Sequence, residues 1–264
     1  MSGVAIVTGA ASGIGRSTVE LLTSEDWSVV AVDLDDERLE WAHGDARVAT
    51  LGGDVTSVGT NAAMVDLAID RFGALDAVVL NAGIPMSGDL VDLPIEQFDR
   101  AFDVNVRAPL LGIRSAVPAL RRAGRGGRIV ITASTSGLAG DPSMWPYNTA
   151  KGAAVNLVKA TAIDLAADGI TVNAVCPGPT ETGMTAGIKA EPERHEALCA
   201  AIPMQRWGRP AEIAAVIAFL VSPAASFVTG VAIPVDGGIT ASTGQFRPRP
   251  RPSAGPSQHS EEHS

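Results

Sequence analysis

The sequence predicts an α/β chain, a single-domain, doubly wound parallel sheet of about seven strands flanked by helices, with a small substrate lid. Three observations predict it. Apolar runs of strand length alternate with helical stretches as far as residue 236. The runs are continuous rather than alternating, as expected of strands covered on both faces. The first run also passes directly into a glycine turn and then a helix.

Taken in order, Val4–Thr8 is an unbroken apolar run ending in threonine, followed by helical spacing over Gly13–Thr23. Ser28–Asp33 and Val48–Gly52 read as the next two strands, and Ser57–Phe72 as the helix after them. Leu75–Leu80 is the fourth strand. The long stretch Pro94–Ala123 carries helical spacing but contains Pro109 and Pro118, so a kink or break is expected within it. Arg128–Thr132, the helix Tyr147–Ala167, the strand Thr171–Val175, the helix Pro210–Val221 and the strand Val231–Val235 complete the pattern. Residues 1–243 form one unit; from Gly244 onward the proline, arginine and serine content lacks the apolar residues for a core, so 244–264 is expected to be a disordered tail.

Composition narrows the class. The 264 residues are 46% hydrophobic and 19% charged, enough apolar content for a sizeable core. The net charge of −9 argues against binding a phosphate backbone, so no nucleic-acid partner is expected. Cys176 and Cys199 stand alone, without a CxxC pair or a histidine cluster, which predicts no metal site and a reduced, cytoplasmic setting. Met1–Thr8 has no basic n-region and only a short apolar run, so neither a signal peptide nor a membrane span is expected there.

The first strand leads into Thr8-Gly9-Ala10-Ala11-Ser12-Gly13-Ile14-Gly15. Glycines at such a turn let the backbone approach a pyrophosphate, and the following helix offers free N–H groups and a positive dipole end. Asp33 ends the second strand, 18 residues past Gly15. A carboxylate there can accept hydrogen bonds from adenosine ribose hydroxyls and repels a 2′-phosphate. Ser12 is uncharged and no arginine immediately follows Asp33, so NAD is predicted over NADP. Asp54-Val55 and Asn81-Ala82-Gly83 follow the third and fourth strands, at the strand C-termini where open α/β sheets bind ligands.

Tyr147, the only tyrosine, lies four residues before Lys151, so a helix places both side chains on one face. A free phenol titrates near pH 10, and a neighbouring ammonium would lower that value toward the range of a working base. Ser134 lies 13 residues before Tyr147, just past the fifth strand, where its hydroxyl could hold a substrate oxygen. By spacing alone a Tyr-x-x-x-Lys pair is commonly a surface accident. Its place after the fifth strand and downstream of a nucleotide loop reverses that.

The motifs Thr8–Gly15, Asp54, Asn81-Ala82-Gly83, Asn105, Ser134, Tyr147 with Lys151, Pro177-Gly178, Gly208-Arg209-Pro210-x-Glu212 and Val235-Asp236-Gly237-Gly238 together resemble a classical short-chain dehydrogenase/reductase over residues 3–240. The resemblance implies a Rossmann-type sheet and a catalytic tetrad of Asn105, Ser134, Tyr147 and Lys151. It implies cofactor contacts from Gly9, Ser12, Gly13, Ile14, Gly15, Asp33, Asp54, Val55, Asn81, Ala82, Gly83, Tyr147, Lys151, Pro177, Gly178, Thr180 and Thr182. Lys151 would hydrogen-bond the nicotinamide ribose, Asn105 would hold a relay water, and Thr182 would contact the carboxamide. It also implies a mobile lid over Met184–Trp207 and a homo-oligomer, a tetramer rather than a dimer.

Within the lid, Met184, Ile188, Leu198, Ile202, Met204 and Trp207 either line a pocket or form an inward stripe, and the charged run from Lys189 to His195 reads as a solvated face. Met86, Leu138, Met144 and Trp145 are candidates for a fixed, apolar wall. The leading expectation is hydride transfer between NAD(H) and a small-molecule secondary alcohol or ketone. Two alternatives stand beside it: a 3-oxoacyl-carrier-protein reductase, kept open by Arg121, Arg122, Arg125 and Arg128, and a non-catalytic NAD-binding sensor.

Overall fold

The computed structural model describes residues 3–243, so the proline-arginine tail at 244–264 lies outside the described residues. Seven strands, β1 (Val4–Thr8), β2 (Ser28–Asp33), β3 (Val48–Gly52), β4 (Ala77–Leu80), β5 (Arg128–Thr132), β6 (Thr171–Pro177) and β7 (Ala232–Val235), form one sheet. Their order is β3-β2-β1-β4-β5-β6-β7, every pairing parallel. Order reverses between β1 and β4, which opens a crevice at their C-terminal ends.

Helices cover both faces. Helix α1 (Gly13–Ser24) and α8 (Pro210–Val221) lie on one side; α2 (Val58–Phe72), α4 (Ala108–Ala123) and α5 (Trp145–Leu165) lie on the other. Strand alternation supplies the two cores. Val4 and Ile6 face Met64, Ile113 and Val158, whereas Ala5 and Val7 face Val19, Leu22 and Ile217. Each fully buried Ile or Leu contributes about 1.5–3 kcal/mol, and burial on both sides is why these strands read as unbroken apolar runs.

The expected break in Pro94–Ala123 is a π-helical turn at Asp103–Arg107 between α3 (Ile95–Phe102) and α4. Pro109 has no N–H for the carbonyl four residues back, that of Asn105, and its ring crowds that position. The chain answers with a wider turn, in which the Ala108 N–H reaches the Asp103 carbonyl. Pro118 lies within α4 without dividing it. Helix α5 begins at Trp145, two residues earlier than expected, and β4 is shorter, with Leu75 buried just outside it. The lid contains two short helices, α6 (Ala186–Lys189) and α7 (Pro192–Ala201).

Candidate active site

The turn after β1 is built by close approach. Gly9 and Gly13 have φ of +68° and +54°, in the left-handed region. A Cβ on Gly15 would lie 2.0 Å from the Gly9 carbonyl oxygen, so only glycine lets the loop close on the first turn of α1. Ser12 caps that helix without a side-chain bond and its first turn holds no acidic residue, leaving the N–H groups and dipole uncompensated. That is the electrostatic requirement of a pyrophosphate site.

Asp33 closes the same corner. Its Oδ2 accepts from the Ala11 N–H and its Oδ1 from the Leu34 N–H, each at 2.9 Å. Arg38, brought back by the 3₁₀ turn Asp36–Ala42, stands 4.0 Å from that carboxylate. The linear order concealed this neighbour, because Arg38 is five residues downstream. Arg16 stacks over Trp41 nearby, 4.6 Å from the ring centroid.

Asn81 ties three strand ends together. Its Nδ2 donates to the Thr8 carbonyl at 3.0 Å, and its Oδ1 accepts from the Thr132 hydroxyl at 3.1 Å. The Thr8 hydroxyl in turn accepts from the N–H groups of Asn81 and Ala82. Asp54 accepts from both the N–H and the hydroxyl of Thr56, which hold its carboxyl below the usual range. Val55 and Ile14 are partly buried against the two cores. Beyond β6, the Thr180 hydroxyl turns inward to the Gly178 carbonyl at 2.8 Å, so it shapes the loop. Thr182 is carried against Gly13: a Cβ there would lie 3.1 Å from the threonine methyl.

Ser134, Tyr147, Lys151 and Asn105 come together at the C-terminal edge of β4 and β5. Ser134 Oγ accepts from the Ser136 N–H at 3.1 Å, so its own proton is free for the Tyr147 phenol, to which it is hydrogen-bonded. Lys151, 4% exposed, donates to the Thr132 carbonyl at 2.8 Å. A Cβ on Gly83 would lie 3.3 Å from the ammonium and 2.8 Å from Asn105 Oδ1, so the glycine permits this packing. Fully buried Asn105 spends its amide on the Ile84 and Ala101 carbonyls at 3.0 and 2.9 Å.

The electrostatics differ from the expectation of a phenol lowered by its lysine. Burial raises the Tyr147 phenol above its ordinary value, the Ser134 hydrogen bond opposes this, and the Asp141 charge raises it further. Burial also brings Lys151 down to about 8, with Cys176 partly opposing. The ammonium points at a main-chain carbonyl, 5.6 Å from the tyrosine ring centroid, so it does not pair with the phenol oxygen in the protein alone.

Two surrounding features were not legible in the sequence. Ser136 donates to Asp141 Oδ2 at 2.5 Å, placing a carboxylate near the Ser134 and Tyr147 hydroxyls. Trp145, expected as part of the fixed wall, stacks on Phe98 with centroids 5.6 Å apart and joins α5 to α3. In the lid, Ile202 and Trp207 are buried anchors, whereas Met184 and Met204 are exposed at 49% and 64%. A groove of about 560 Å³ runs between α1 and the lid, lined by Arg16, Glu20, Glu181, Thr182 and Lys189; none of the four converging residues lines it.

Comparison with known proteins decides the family. A family model described as enoyl-(acyl carrier protein) reductase matches residues 9–240. The 2-(R)-hydroxypropyl-CoM dehydrogenase of Xanthobacter autotrophicus is 39% identical over 91% of this chain and 100% of its own length. The chain belongs to the classical short-chain dehydrogenase/reductase family. A second relative in that family, the meso-2,3-butanediol dehydrogenase of Serratia marcescens, is 35% identical over 92% of this chain and 96% of its own. The crystal structure of a 3-ketoacyl-(acyl-carrier-protein) reductase from Brucella melitensis complexed with NADH superposes with a TM-score of 0.84 at 34% identity, covering 90% of this chain and 98% of that one. Like these relatives, the short-chain dehydrogenase/reductase described here is an oxidoreductase of alcohol and carbonyl groups.

Membership also explains a motif whose purpose the sequence left open. In Gly208-Arg209-Pro210-x-Glu212, Glu212 accepts from the Arg209 N–H at 2.7 Å and from both terminal nitrogens of Arg206, fastening the end of the lid to α8. Those bonds hold its carboxyl down at about 2. Among the described residues no helix is long and apolar enough to cross a membrane, and no cluster of potential metal ligands occurs.

Proposed function

We propose that this chain uses NAD(H) to interconvert a secondary alcohol and its ketone, with Tyr147 exchanging the proton. The observation that carries the reading is the convergence of Ser134, Tyr147, Lys151 and Asn105 beside a glycine turn whose helix N-terminus is uncompensated. Gly9, Ser12, Gly13, Ile14 and Gly15 would hold the pyrophosphate, Asp33 the adenosine ribose, and Asp54 and Val55 the adenine. Asn81, Ala82, Gly83, Pro177, Gly178, Thr180 and Thr182 would form the floor of the nicotinamide end. Bound nicotinamide supplies the hydride acceptor or donor.

The chain's own groups handle the proton. Ser134 orients the substrate oxygen by hydrogen bonding and Tyr147 gives or takes its proton. With its phenol raised, Tyr147 is protonated at neutral pH, ready to act as the acid in ketone reduction. Alcohol oxidation needs the phenolate and therefore runs better at alkaline pH. Lys151 keeps a positive charge below about pH 8 that stabilises that phenolate once substrate closes the site. A relay water would sit at the main-chain carbonyl of Asn105, since its side-chain amide is already committed.

Asp33 supports NAD, because a 2′-phosphate would meet a carboxylate and Arg38 is already paired with it. Three of the four arginines that kept a carrier-protein reading open are committed elsewhere: Arg121 pairs with Asp168, Arg125 with Asp76, and Arg128 is buried on the Gly126 and Gly127 carbonyls. Arg128 also begins β5, at the opposite end of the strand from Ser134. Fully exposed Phe227, with exposed Ile163 and Phe219, supports a homo-oligomer that would bury these side chains, and the family resemblance favours a tetramer. The free cysteines support a cytoplasmic setting. A screen of secondary alcohols and ketones by NADH fluorescence tests the reading; cofactor binding without turnover of any of them would favour a sensor.

A further inference from the structure

The loop between β5 and α5 carries a carboxylate that the proton chemistry does not use. Asp141 Oδ2 accepts from the Ser136 hydroxyl at 2.5 Å, and the Ser136 N–H donates to Ser134 Oγ at 3.1 Å. The carboxylate therefore stands two hydrogen bonds from the hydroxyl that binds Tyr147. It is exposed, its bonds engage one oxygen only, and it has no ion pair among the described residues.

A purely structural tie is a poor account of it. The loop is already held by its main chain: the Met144 N–H and the Asn148 amide both donate to the Asp141 carbonyl, and the Gly88 N–H donates to that of Ser143. Ser143 sits at φ +59°, a left-handed conformation costly for serine, so the loop is strained into this course. The negative charge of Asp141 also opposes ionisation of Tyr147. A neutral residue could tie the loop without that penalty. The charge becomes useful when a ligand donates a hydrogen bond to it.

We infer that Asp141, with Ser136, is the specificity element for a second hydroxyl on the substrate, so that vicinal diols and their α-hydroxyketones are the preferred pair. The inference rests on the carbinol chemistry proposed above. In the oxidising direction the carbinol carbon loses hydride to oxidised nicotinamide, its oxygen loses a proton to Tyr147, and the adjacent hydroxyl stays intact, donating to Asp141. Anionic groups are disfavoured, because Asp141 repels them and the lid cations are committed, Lys189 to Glu181 at 2.9 Å and Arg206 to Glu212 at 2.7 Å. An ammonium beside the carbinol is disfavoured while the buried Lys151 behind Tyr147 keeps its own charge, below about pH 8.

The test is steady-state oxidation at pH 7 of four probes, 2-butanol, 2,3-butanediol, 1-amino-2-propanol and 3-hydroxybutyrate, by the full-length protein with NAD. The readout is each kcat/KM relative to 2-butanol, a ratio in which enzyme quantity and any general change at Tyr147 cancel. The diol is expected to exceed 2-butanol by roughly tenfold or more, as a hydrogen bond to a charged acceptor allows, mainly through KM. Asp141→Ala should bring the ratio near one, and the isosteric Asp141→Asn should retain part of it. An unchanged ratio in both variants, or a wild-type preference for the amine or the acid, would overturn the inference and leave the carbinol reading standing. Failure of the wild type to oxidise any probe, with cofactor bound, would overturn both.

Discussion

Gly15→Ala tests the pyrophosphate site at its tightest point. The added Cβ would lie 2.0 Å from the Gly9 carbonyl oxygen, 2.7 Å from its carbon and 2.8 Å from Asn81 Nδ2. Two of these three atoms are backbone, and the third belongs to the side chain tying β1, β4 and β5 together. No flexible side chain can yield, so the Gly9–Gly15 separation must widen by about 1.4 Å to reach ordinary contact at 3.4 Å. Overpacking of this kind costs about 1–3 kcal/mol, which in a domain of this size lowers Tm by roughly 2–12 °C. The helix N-terminus moves with Gly15, so at least one charge-assisted bond to the pyrophosphate is lost, weakening cofactor binding by about tenfold or more. Calorimetric titration with NADH and a thermal melt would measure both. Gly59→Ala is the control: it lies within α2, its nearest neighbour is Ser57 Oγ at 3.5 Å, and it should melt at or slightly above the wild type. A Gly15→Ala protein with wild-type affinity and Tm would refute the close-approach argument.

Tyr147→Phe should keep cofactor affinity but lose about 10²–10⁴-fold in turnover, read by NADH fluorescence; near-normal activity would remove the phenol from the mechanism. NAD(H) should bind at least about tenfold tighter than NADP(H), with Asp33→Ala narrowing the gap; equal affinities in the wild type would show that Arg38 outweighs Asp33. Glu212 has a carboxyl held down to about 2, so its stabilising effect is complete above pH 4.5 and is lost as pH falls toward 2. The Tm difference between wild type and Glu212→Gln should accordingly be constant from pH 7 to 5 and shrink below pH 4.5; a gap independent of pH would assign the effect to packing. With the Tyr147 phenol raised, kcat/KM for alcohol oxidation should climb with pH above neutrality, and a flat profile between pH 7 and 10 would contradict a tyrosine base.

Much of this molecule was legible in one dimension, for physical reasons. Strands buried on both faces must be apolar along their interiors, so the unbroken runs inside Val4–Thr8, Ser28–Asp33 and Arg128–Thr132 mark these strands in the sequence. A turn that brings backbone to backbone or takes a positive φ calls for glycine, which marked Gly9, Gly13 and Gly15. A helix places residues four apart on one face, which marked Tyr147 with Lys151. What tertiary structure alone decided depends on groups distant in the chain, or on turns whose direction spacing does not encode. The curl of Asp36–Ala42 brought Arg38 back to Asp33. The strained turn at Ser143 set Asp141 against Ser136, and the packing of α3 drew Trp145 onto Phe98. Burial reversed the expected shift of Tyr147, because desolvation depends on everything packed around a group and no local pattern records it. The sequence by itself determined the sheet, the glycine turn and the identities of the converging residues; the tertiary structure determined their protonation and the charge that surrounds them.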